Sequence, residues 1–468
     1  MGVRSSQSPV QPPPETSFLA DRRRGLRNRY RRRSGGIYLP LAERNAIAIG
    51  IAVLWAAFAI IVAYPWIAQL ADALTMPVAI TVVAGIAIVP GYLNAHLLVS
   101  LMLDRPPPVD DGGEATLPAI TVLVAAFNEA ERITETLRYA LNQDYPGQVD
   151  VLVVDDGSTD ATVAIVEAIA LENPQLRLLP ASHGGKAHAL NVGLLSAETP
   201  LVATCDADTL LMPYALRHAV TRLERSPADT CAVAGSVMVR NSRANWLTAM
   251  QTWDYLLGIA SVKRQQSLMR GTLVAQGAFS VYRADALRAV GGWPNMIGED
   301  IVVTWAMLDR GGRTTYEPSA VAFTDVPTTV RDLVRQRRRW ARGMIEGLRH
   351  HGRHLLASRR MYAHAVGSNY LFPLLDLTFS LAFPAGLVLA ATGNFMIVGP
   401  MTAAVLPLNA AVMCALYRKQ RSVFAALGLR MRRHRRGLLA YFLGYQLLLA
   451  PVSLSGYLAE LVRRPRRW

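Results

Sequence analysis

Cysteine is scarce in this sequence and forms none of the patterns that usually give it a structural role. The 468 residues include three cysteines, Cys205, Cys231 and Cys414. They are too few and too scattered for a disulfide framework or a zinc site. Their scarcity fits a reduced, cytosolic compartment.

Acidic residues are also in deficit, because 34 Asp and Glu face 49 Lys and Arg, which gives a formal net charge of +15. A basic chain can bind nucleic acid, but no recognition-helix motif, zinc-finger spacing or aromatic RNA-binding signature accompanies the charge. The basic residues cluster instead at 22–33, 335–353 and 430–436, each near a long apolar stretch, as in the cytoplasmic flanks of membrane helices. We therefore expect membrane lipids, and no nucleic acid, as partners.

Long apolar runs divide the chain into segments. Residues 46–68 and 78–103 are each long enough to span a bilayer, which takes about twenty apolar residues, and further spans are expected near 369–391, 395–417 and 438–461. The positive-inside rule predicts a multi-pass protein of the plasma membrane with its central domain in the cytoplasm. The predicted segments are a basic, disordered N-terminal arm at 1–45, two transmembrane helices in 46–104, a linker at 105–118, a cytoplasmic domain at 119–350, and interfacial and transmembrane segments at 351–468.

The central segment alternates short apolar runs with amphipathic stretches. Runs at 120–125, 149–154, 176–179 and 201–204 have the length and composition of strands, and helical periodicity lies between them. This alternation predicts an α/β fold with a mostly parallel sheet covered by helices. Ligands bind such sheets at the carboxyl ends of the strands, so polar motifs at those ends are candidate site residues.

Polar motifs follow the first two predicted strands. The first strand runs into Ala-Phe-Asn-Glu at 126–129, and the second into Asp-Asp-Gly-Ser-Thr-Asp at 155–160. A carboxylate there can accept hydrogen bonds from a nucleotide base and a ribose, and the glycine lets a ligand approach the backbone. A turn with a helix N-cap at Ser158 or Thr159 is an equally good interpretation.

A glycine pair and a lysine open the next predicted helix. Gly184, Gly185 and Lys186 would place backbone N–H groups and an ammonium at a helix N-terminus, which suits an anionic ligand. The motif lacks a full phosphate-loop pattern, so a solvated lysine is the alternative interpretation.

Two carboxylates, Asp206 and Asp208, follow the fourth predicted strand. On a turning chain both can reach a hard divalent cation, which prefers oxygen ligands and leaves positions for phosphate. Such a cation would neutralise charge on a leaving diphosphate. Capping of the following helix is the simpler explanation for an isolated Asp-x-Asp.

Acidic residues also open the helix that follows Gly298. Glu299 and Asp300 precede an apolar stretch at 301–308, and a carboxylate at such a helix start can act as a general base in a cleft. The same residues would favour the helix dipole without any catalytic duty. Sequence spacing does not decide between these interpretations.

The last motif is a Gln-Arg-Arg-Arg-Trp sequence in a helical stretch. Positions i, i+3 and i+4 share one helix face, so Gln336, Arg339 and Trp340 point together. An arginine can grip a diphosphate, and an indole is a flat platform for a sugar ring. Arg337 and Arg338 are expected to point toward lipid headgroups.

In their order, these motifs resemble the inverting glycosyltransferases of family 2, especially bacterial poly-N-acetylglucosamine, hyaluronan and cellulose synthases. The similarity extends over about residues 117–350, and the ordered set is far more specific than any one motif. One departure is Gly298, which stands where many members carry threonine. The matching segments are 154–160, 185–191, 206–208, 253–265, 275–283, 298–300 and 336–340.

By position, the resemblance gives each candidate residue a role. It implies a GT-A type nucleotide-sugar-binding domain, inserted between transmembrane helices, with Mg²⁺ or Mn²⁺ as cofactor. On the donor side, it implies that Asp156 binds the uracil, that Asn128 and Glu129 contact the nucleotide, and that Lys186 and Asp206 contact the diphosphate. It implies that Asp208 binds the metal and that Asp300 is the catalytic base. Gln336, Arg339 and Trp340 would bind the diphosphate and the acceptor, and Phe279 would lie in the acceptor-site strand and bind the acceptor.

The resemblance implies a membrane-bound, processive, inverting β-glycosyltransferase, which transfers a sugar from a UDP-sugar to a growing polysaccharide. N-acetylglucosamine is the sugar that similarity favours, and an accessory membrane or export subunit would be a further partner. Two alternatives stay open. A non-processive family 2 enzyme would add one sugar to a lipid carrier, and a catalytically silent membrane scaffold would make no use of the acidic residues.

Overall fold

The structure of the chain is a computed structural model. The residues that it describes are 39–104, 116–430 and 434–462, without the side chains of residues 400 and 401. The predicted disordered arm as far as residue 38, and the predicted linker from 105 to 115, lie outside the described part.

An eight-stranded sheet forms the centre of the domain. Its strands are β1 (Ile120–Ala126), β2 (Val149–Asp155), β3 (Leu176–Pro180), β4 (Leu201–Asp206), β5 (Thr209–Leu211), β6 (Thr230–Val239), β7 (Phe279–Arg283) and β8 (Arg313–Thr324). Their spatial order is β3-β2-β1-β4-β7-β6-β8-β5. The four strands predicted from the sequence are confirmed as β1 to β4, and they pair in parallel.

The second half of the sheet is mixed. Strand β7 runs antiparallel to both β4 and β6, β5 runs antiparallel to β8, and β6 runs parallel to β8. The predicted α/β fold is confirmed, and the parallel pairing predicted for the sheet holds for its first four strands.

Helices cover the sheet and extend from it. They are α1 (Leu41–Ala73), α2 (Met76–Leu103), α3 (Ile133–Leu141), α4 (Thr162–Glu172), α5 (Lys186–Ser196), α6 (Ala215–Glu224), α7 (Trp246–Trp253), α8 (Ala260–Leu268), α9 (Ala284–Ala289), α10 (Glu299–Asp309), α11 (Val330–Gly347), α12 (Arg353–Ala357), α13 (Tyr362–Ala391), α14 (Pro400–Ala426) and α15 (Arg435–Leu461). A π-helical turn at Asp254–Ile259 joins α7 to α8, and another at Tyr441–Tyr445 lies within α15.

Apolar side chains fill both faces of the sheet. On one face, Ile133 of α3 and Leu216 of α6 pack against the buried residues of β1, β2 and β4. On the other face, Leu190 of α5 and Val303 of α10 pack around the fully buried Trp293. Burial on both faces explains why the parallel strands read as continuous apolar runs rather than alternating ones.

Four helices in the described part of the chain, α1, α2, α13 and α15, are long and apolar enough to cross a membrane. They identify the chain as a membrane protein. The span predicted near 395–417 corresponds to α14, which is not one of these four. Its second half carries Arg418, Lys419 and Arg421, and these charges are costly to place in lipid.

Buried charges join the membrane helices to the domain. Asp104, at the end of α2, forms an ion pair with Arg264 of α8, and both side chains are 7% exposed. Lys419 of α14 lies 3.6 Å from the same carboxylate. A single aspartate therefore holds a membrane hairpin, a helix of the domain and α14 together.

We expect Asp104→Ala to lower the free energy of unfolding by about 3–5 kcal/mol, because it leaves a buried arginine without its counter-charge. The measurement is denaturant or thermal unfolding of the purified protein in detergent. The matched control is Asp144→Ala, since the Asp144 side chain is 58% exposed in its ion pair with Arg217 and such pairs contribute about 0–1 kcal/mol. Equal losses in the two variants would contradict this account of the junction.

Candidate active site

The carboxyl ends of β1, β2 and β4 meet at one edge of the sheet. In the parallel registers, Ala126 pairs with Asp155 and Ala125 pairs with Asp206. The polar motifs that follow these strands are therefore neighbours in space. This edge is where an α/β sheet binds its ligands.

The first two motifs are tied to each other. Asn128 has a left-handed backbone with φ of 56°, and its Oδ1 accepts the N–H of Thr159 at 2.8 Å. Its own N–H donates to Oγ of Ser158 at 2.9 Å. Short polar residues adopt this backbone more readily than others because they can hydrogen-bond locally. Asn128 thus shapes the loops at this edge of the sheet.

Asp156 organises the glycine turn. Its two carboxylate oxygens accept the N–H groups of Gly184 and Gly185 at 2.8 and 2.9 Å. Nδ1 of His183 lies 3.0 Å from Oδ2 of the same carboxylate. The side chain is 5% exposed, so in this structure the aspartate predicted to bind uracil is engaged in holding the turn.

An exposed ring pair beside this turn was missed by the sequence analysis. The rings of Phe127 and His183 lie 4.6 Å apart, centroid to centroid, and Phe127 is 45% exposed. Such rings offer a flat surface to a planar ligand. The signal available in the sequence was an aromatic residue directly before the Asn-Glu motif.

Lys186 lies among carboxylates. Its ammonium contacts Asp206, and Oε1 of Glu299 is 3.9 Å away. Burial opposes the charge of Lys186, but Asp206, Glu299 and Asp300 outweigh burial and raise the pKa of this lysine. The lysine is therefore an ammonium at neutral pH, and the solvated-lysine alternative does not describe it.

Asp208 is held beside Asp206. Its Oδ1 accepts from the Thr324 hydroxyl at 3.1 Å, and burial followed by repulsion from Asp206 raises its pKa. Burial and the nearby Asp208 carboxylate raise the pKa of Glu129 as well. The carboxylates of Glu129, Asp206 and Asp208 repel one another, and a hard divalent cation bound to their oxygens would relieve the repulsion.

The carboxylates of this site suit a metal ion that also binds the substrate. In the described part of the chain, no group of three or more His, Cys, Asp or Glu residues is arranged to hold a metal ion by itself. Mg²⁺ is usually bound by one or two carboxylates together with substrate phosphates. Asp206 and Asp208 match that arrangement in residue type and number.

The start of α10 brings two acidic residues to the same place. Oδ1 of Asp300 accepts the N–H of Ile301 at 2.8 Å, and Oδ2 accepts the N–H of Gly277 at 3.4 Å. Glu299 is largely buried, and burial together with the Asp300 charge raises its pKa to about 7. Glu299, which the sequence analysis named at this helix start without giving it a role of its own, lies at the candidate site.

Gly298 is explained by the helix that faces it. A Cβ at this position would come 2.5 Å from Cα of Gly343, and a Cβ on Gly343 would come 2.7 Å from Cα of Gly298. The loop before Asp300 therefore touches the backbone of α11. A threonine at position 298, as in many family 2 enzymes, would not fit against this helix.

Gln336, Arg339 and Trp340 lie on α11, the helix whose Gly343 contacts this loop. The charge of Arg339 lowers the pKa of Glu299, against the larger effect of burial, so its guanidinium faces the acidic residues. Trp340 packs against the main core, with its ring centroid 6.3 Å from that of Tyr255. Oε1 of Gln336 is buried and has no hydrogen-bond partner among the described residues.

Two predictions about side-chain placement need correction. Phe279 is fully buried, because it lies in β7 opposite Cys205 and packs in the core, so it cannot contact an acceptor sugar. Arg337 does not reach lipid headgroups. It is buried, and its Nη2 lies 2.8 Å from Oδ2 of Asp254.

Comparison with known proteins identifies the domain. Residues 118–343 match the family model described as glycosyltransferase like family 2. The poly-beta-1,6-N-acetyl-D-glucosamine synthase of Staphylococcus aureus (strain COL) is 35% identical over 233 residues, which are 50% of this chain and 56% of that protein. The synthase of the same name from Staphylococcus epidermidis is 34% identical over 231 residues, 49% of this chain and 55% of that protein. The chain thus spans about half the length of the curated relatives that it matches.

A solved structure has the same fold. The mannosyltransferase from Pyrobaculum calidifontis, in complex with GDP-Man and Mn²⁺, aligns with a TM-score of 0.53 and 21% identity over 81% of this chain and 99% of that one. The GT-A type fold expected from the sequence is confirmed. Residues 118–343 therefore form a family 2 glycosyltransferase domain, in a chain that resembles the poly-beta-1,6-N-acetyl-D-glucosamine synthases.

Proposed function

We propose that the chain is a processive, inverting β-glycosyltransferase that transfers N-acetylglucosamine from its UDP-sugar to a growing polysaccharide. The observation that carries this proposal is the convergence of Asp206, Glu299 and Asp300 on Lys186. It brings groups suited to a diphosphate next to a candidate base. The resemblance to poly-beta-1,6-N-acetyl-D-glucosamine synthases supports the choice of sugar.

The donor would lie along the carboxyl edge of the sheet. The exposed Phe127 and His183 rings suit stacking with the uracil, next to the turn that Asp156 holds. Asn128 and Glu129 border the same turn on the β1 side. Lys186 and, from α11, Arg339 supply positive charge for the diphosphate, for which arginine is well suited because it binds phosphate oxygens in pairs.

Asp208, with Asp206 beside it, would hold Mg²⁺ or Mn²⁺. The bound cation would neutralise the charge that develops on the departing diphosphate. The two carboxylates would hold the cation near Lys186, which contacts Asp206. The leaving group would therefore be stabilised from both sides.

Asp300 would act as the general base. An acceptor hydroxyl attacks the anomeric carbon as the bond from that carbon to the diphosphate oxygen breaks on the opposite face, which inverts the configuration. The hydroxyl proton passes to an oxygen of Asp300, and UDP leaves with the bonding electron pair. Trp340 and Gln336 would orient the acceptor, and orientation of this kind lowers the barrier by fixing the attacking group in place.

The membrane helices would give the product a way out. We propose a multi-pass plasma-membrane protein whose domain lies in the cytoplasm. The polysaccharide would then be elongated on the side where nucleotide sugars are made, and it would leave along α13 and α15. Pro451 interrupts α15, as lipid permits where neighbouring protein or a polar cavity satisfies the freed backbone groups. An accessory membrane or export subunit would complete this route.

Incubation of the purified protein with a panel of labelled UDP-sugars tests the proposal directly. We expect incorporation from UDP-N-acetylglucosamine into a product of many sugars that a β-N-acetylglucosaminidase degrades. Transfer of one sugar to a lipid carrier would identify the enzyme as non-processive. Incorporation from none of the donors would reject the proposed function.

Removal of divalent cations by exhaustive chelation should reduce transfer by roughly 10²-fold or more, because the diphosphate would leave without charge neutralisation. Added Mg²⁺ or Mn²⁺ should restore the rate in the wild type but not in Asp208→Asn. Full activity after chelation would show that the Asp206 and Asp208 carboxylates serve another purpose.

Asp300→Asn separates catalysis from helix capping. An asparagine oxygen can still accept the Ile301 N–H, so we expect a folded variant that binds UDP normally and transfers sugar about 10²–10⁴-fold more slowly. The matched control is Asp309→Asn at the other end of α10, where the carboxylate lies 3.1 Å from Nδ1 of His351. Initial rate and UDP affinity are measured on the same preparation. Transfer by Asp300→Asn at the wild-type rate would refute its assignment as the base.

A further inference from the structure

A buried ion pair lies beneath the candidate acceptor platform. Nη2 of Arg337 is 2.8 Å from Oδ2 of Asp254, and the two side chains are 8% and 13% exposed. The guanidinium carbon of Arg337 lies 4.1 Å from the centroid of the Trp340 ring. The arginine therefore contacts Asp254 and also covers the face of the indole. Cation–π attraction of this kind acts within about 6 Å of the ring centroid.

The same carboxylate reaches the membrane portion of the chain. The hydroxyl of Tyr445, in α15, donates to Oδ2 of Asp254 at 3.0 Å. Asp254 opens one π-helical turn and Tyr445 closes another. Such turns are rare and occur frequently at functional sites; the described part of the chain has two others, at Ala84–Ile88 and Leu348–Gly352. Asp254 is therefore a shared partner of an arginine on α11 and a tyrosine on a candidate membrane span.

Stability alone does not account for this arrangement. A buried ion pair loses much of its attraction to the desolvation of its charges, and well-packed apolar residues often stabilise a fold as much or more. What Asp254 does provide is a counter-charge 2.8 Å from Nη2 of Arg337, on a guanidinium that lies against the Trp340 ring. A ring that orients a sugar needs such support, since small displacements of reacting groups slow a reaction greatly.

We propose that Asp254 is a positioning residue for glycosyl transfer, which holds Arg337 beneath Trp340 and links the acceptor platform to α15 through Tyr445. This inference rests on the proposed function, in which Trp340 contacts the acceptor. Loss of Asp254 should impair attack by a sugar acceptor and leave UDP binding intact. Attack by water, which needs no platform, should also continue.

The experiment compares two reactions of the same full-length protein in detergent. One is transfer from UDP-N-acetylglucosamine to an added β-linked N-acetylglucosamine oligosaccharide, and the other is hydrolysis of the donor. For Asp254→Asn we expect transfer to fall by roughly 10²-fold, with shorter products, a raised KM for the oligosaccharide, and unchanged hydrolysis and UDP affinity. Asp254→Glu restores the negative charge and should recover part of the transfer.

Tyr445→Phe removes only a hydroxyl and provides the test if Asp254→Asn does not fold. It should lower transfer by about tenfold, because a hydrogen bond to a charged group is lost, again with hydrolysis unchanged. A wild-type ratio of transfer to hydrolysis in this variant would overturn the link to α15.

The matched control is Glu460→Gln. Glu460 of α15 forms a buried pair with Arg342 of α11, 3.1 Å from Nη2, so it joins the same two helices as the Asp254 cluster. If Glu460→Gln keeps the wild-type ratio of transfer to hydrolysis and Asp254→Asn lowers it, the result supports Asp254 as a positioning residue. Equal changes in both variants, or an equal loss of transfer and hydrolysis in Asp254→Asn, would overturn it. If the wild type itself uses no donor, the proposed function fails instead, and the two failures are thereby distinguished.

Discussion

Repulsion between closely spaced carboxylates is the main constraint on the candidate site at the carboxyl edge of the sheet. Glu129, Asp206 and Asp208 face one another on one side, and Glu299 and Asp300 adjoin Lys186 on the other. The cations Lys186, Arg132 and Arg339 do not balance five carboxyl groups, so burial and repulsion raise the pKa of Asp208 and of Glu299. A site with such an excess of negative charge has a strong affinity for a cation.

The half of the sheet that carries the candidate site could be predicted from sequence for a physical reason. Strands β1, β2 and β4 are largely buried, β3 is an edge strand that is partly buried, and single helices join them in turn, so each strand reads as a short apolar run. The polar motifs at the carboxyl ends of these strands are therefore expected at one edge of the sheet. The rest of the sheet depends on pairings such as that of β6 with β8, which no local pattern encodes.

The incorrect predictions for individual side chains also concern contacts between residues that are far apart in the sequence. Phe279 was assigned by its position in a motif, but the pairing of β7 with β4 turns it into the core. Arg337 looked like a solvated charge on a basic helix, because its partner Asp254 lies more than eighty residues earlier in the chain. Glu299 was named beside Asp300 but given no role of its own, since only the fold shows that both adjoin Lys186. Helical periodicity grouped Gln336, Arg339 and Trp340, and all three lie on one helix, α11, whose Gly343 contacts the loop before Asp300.

The backbone contact between Gly298 and Gly343 limits how this domain can be recombined with its relatives. The loop that carries Asp300 and the helix that carries Trp340 lie too close for either glycine to gain a side chain alone. In a chimera, the family threonine at position 298 is compatible only with an α11 that stands farther away. The two segments would therefore have to be exchanged together, because a side chain introduced at position 298 alone would clash with the backbone of α11.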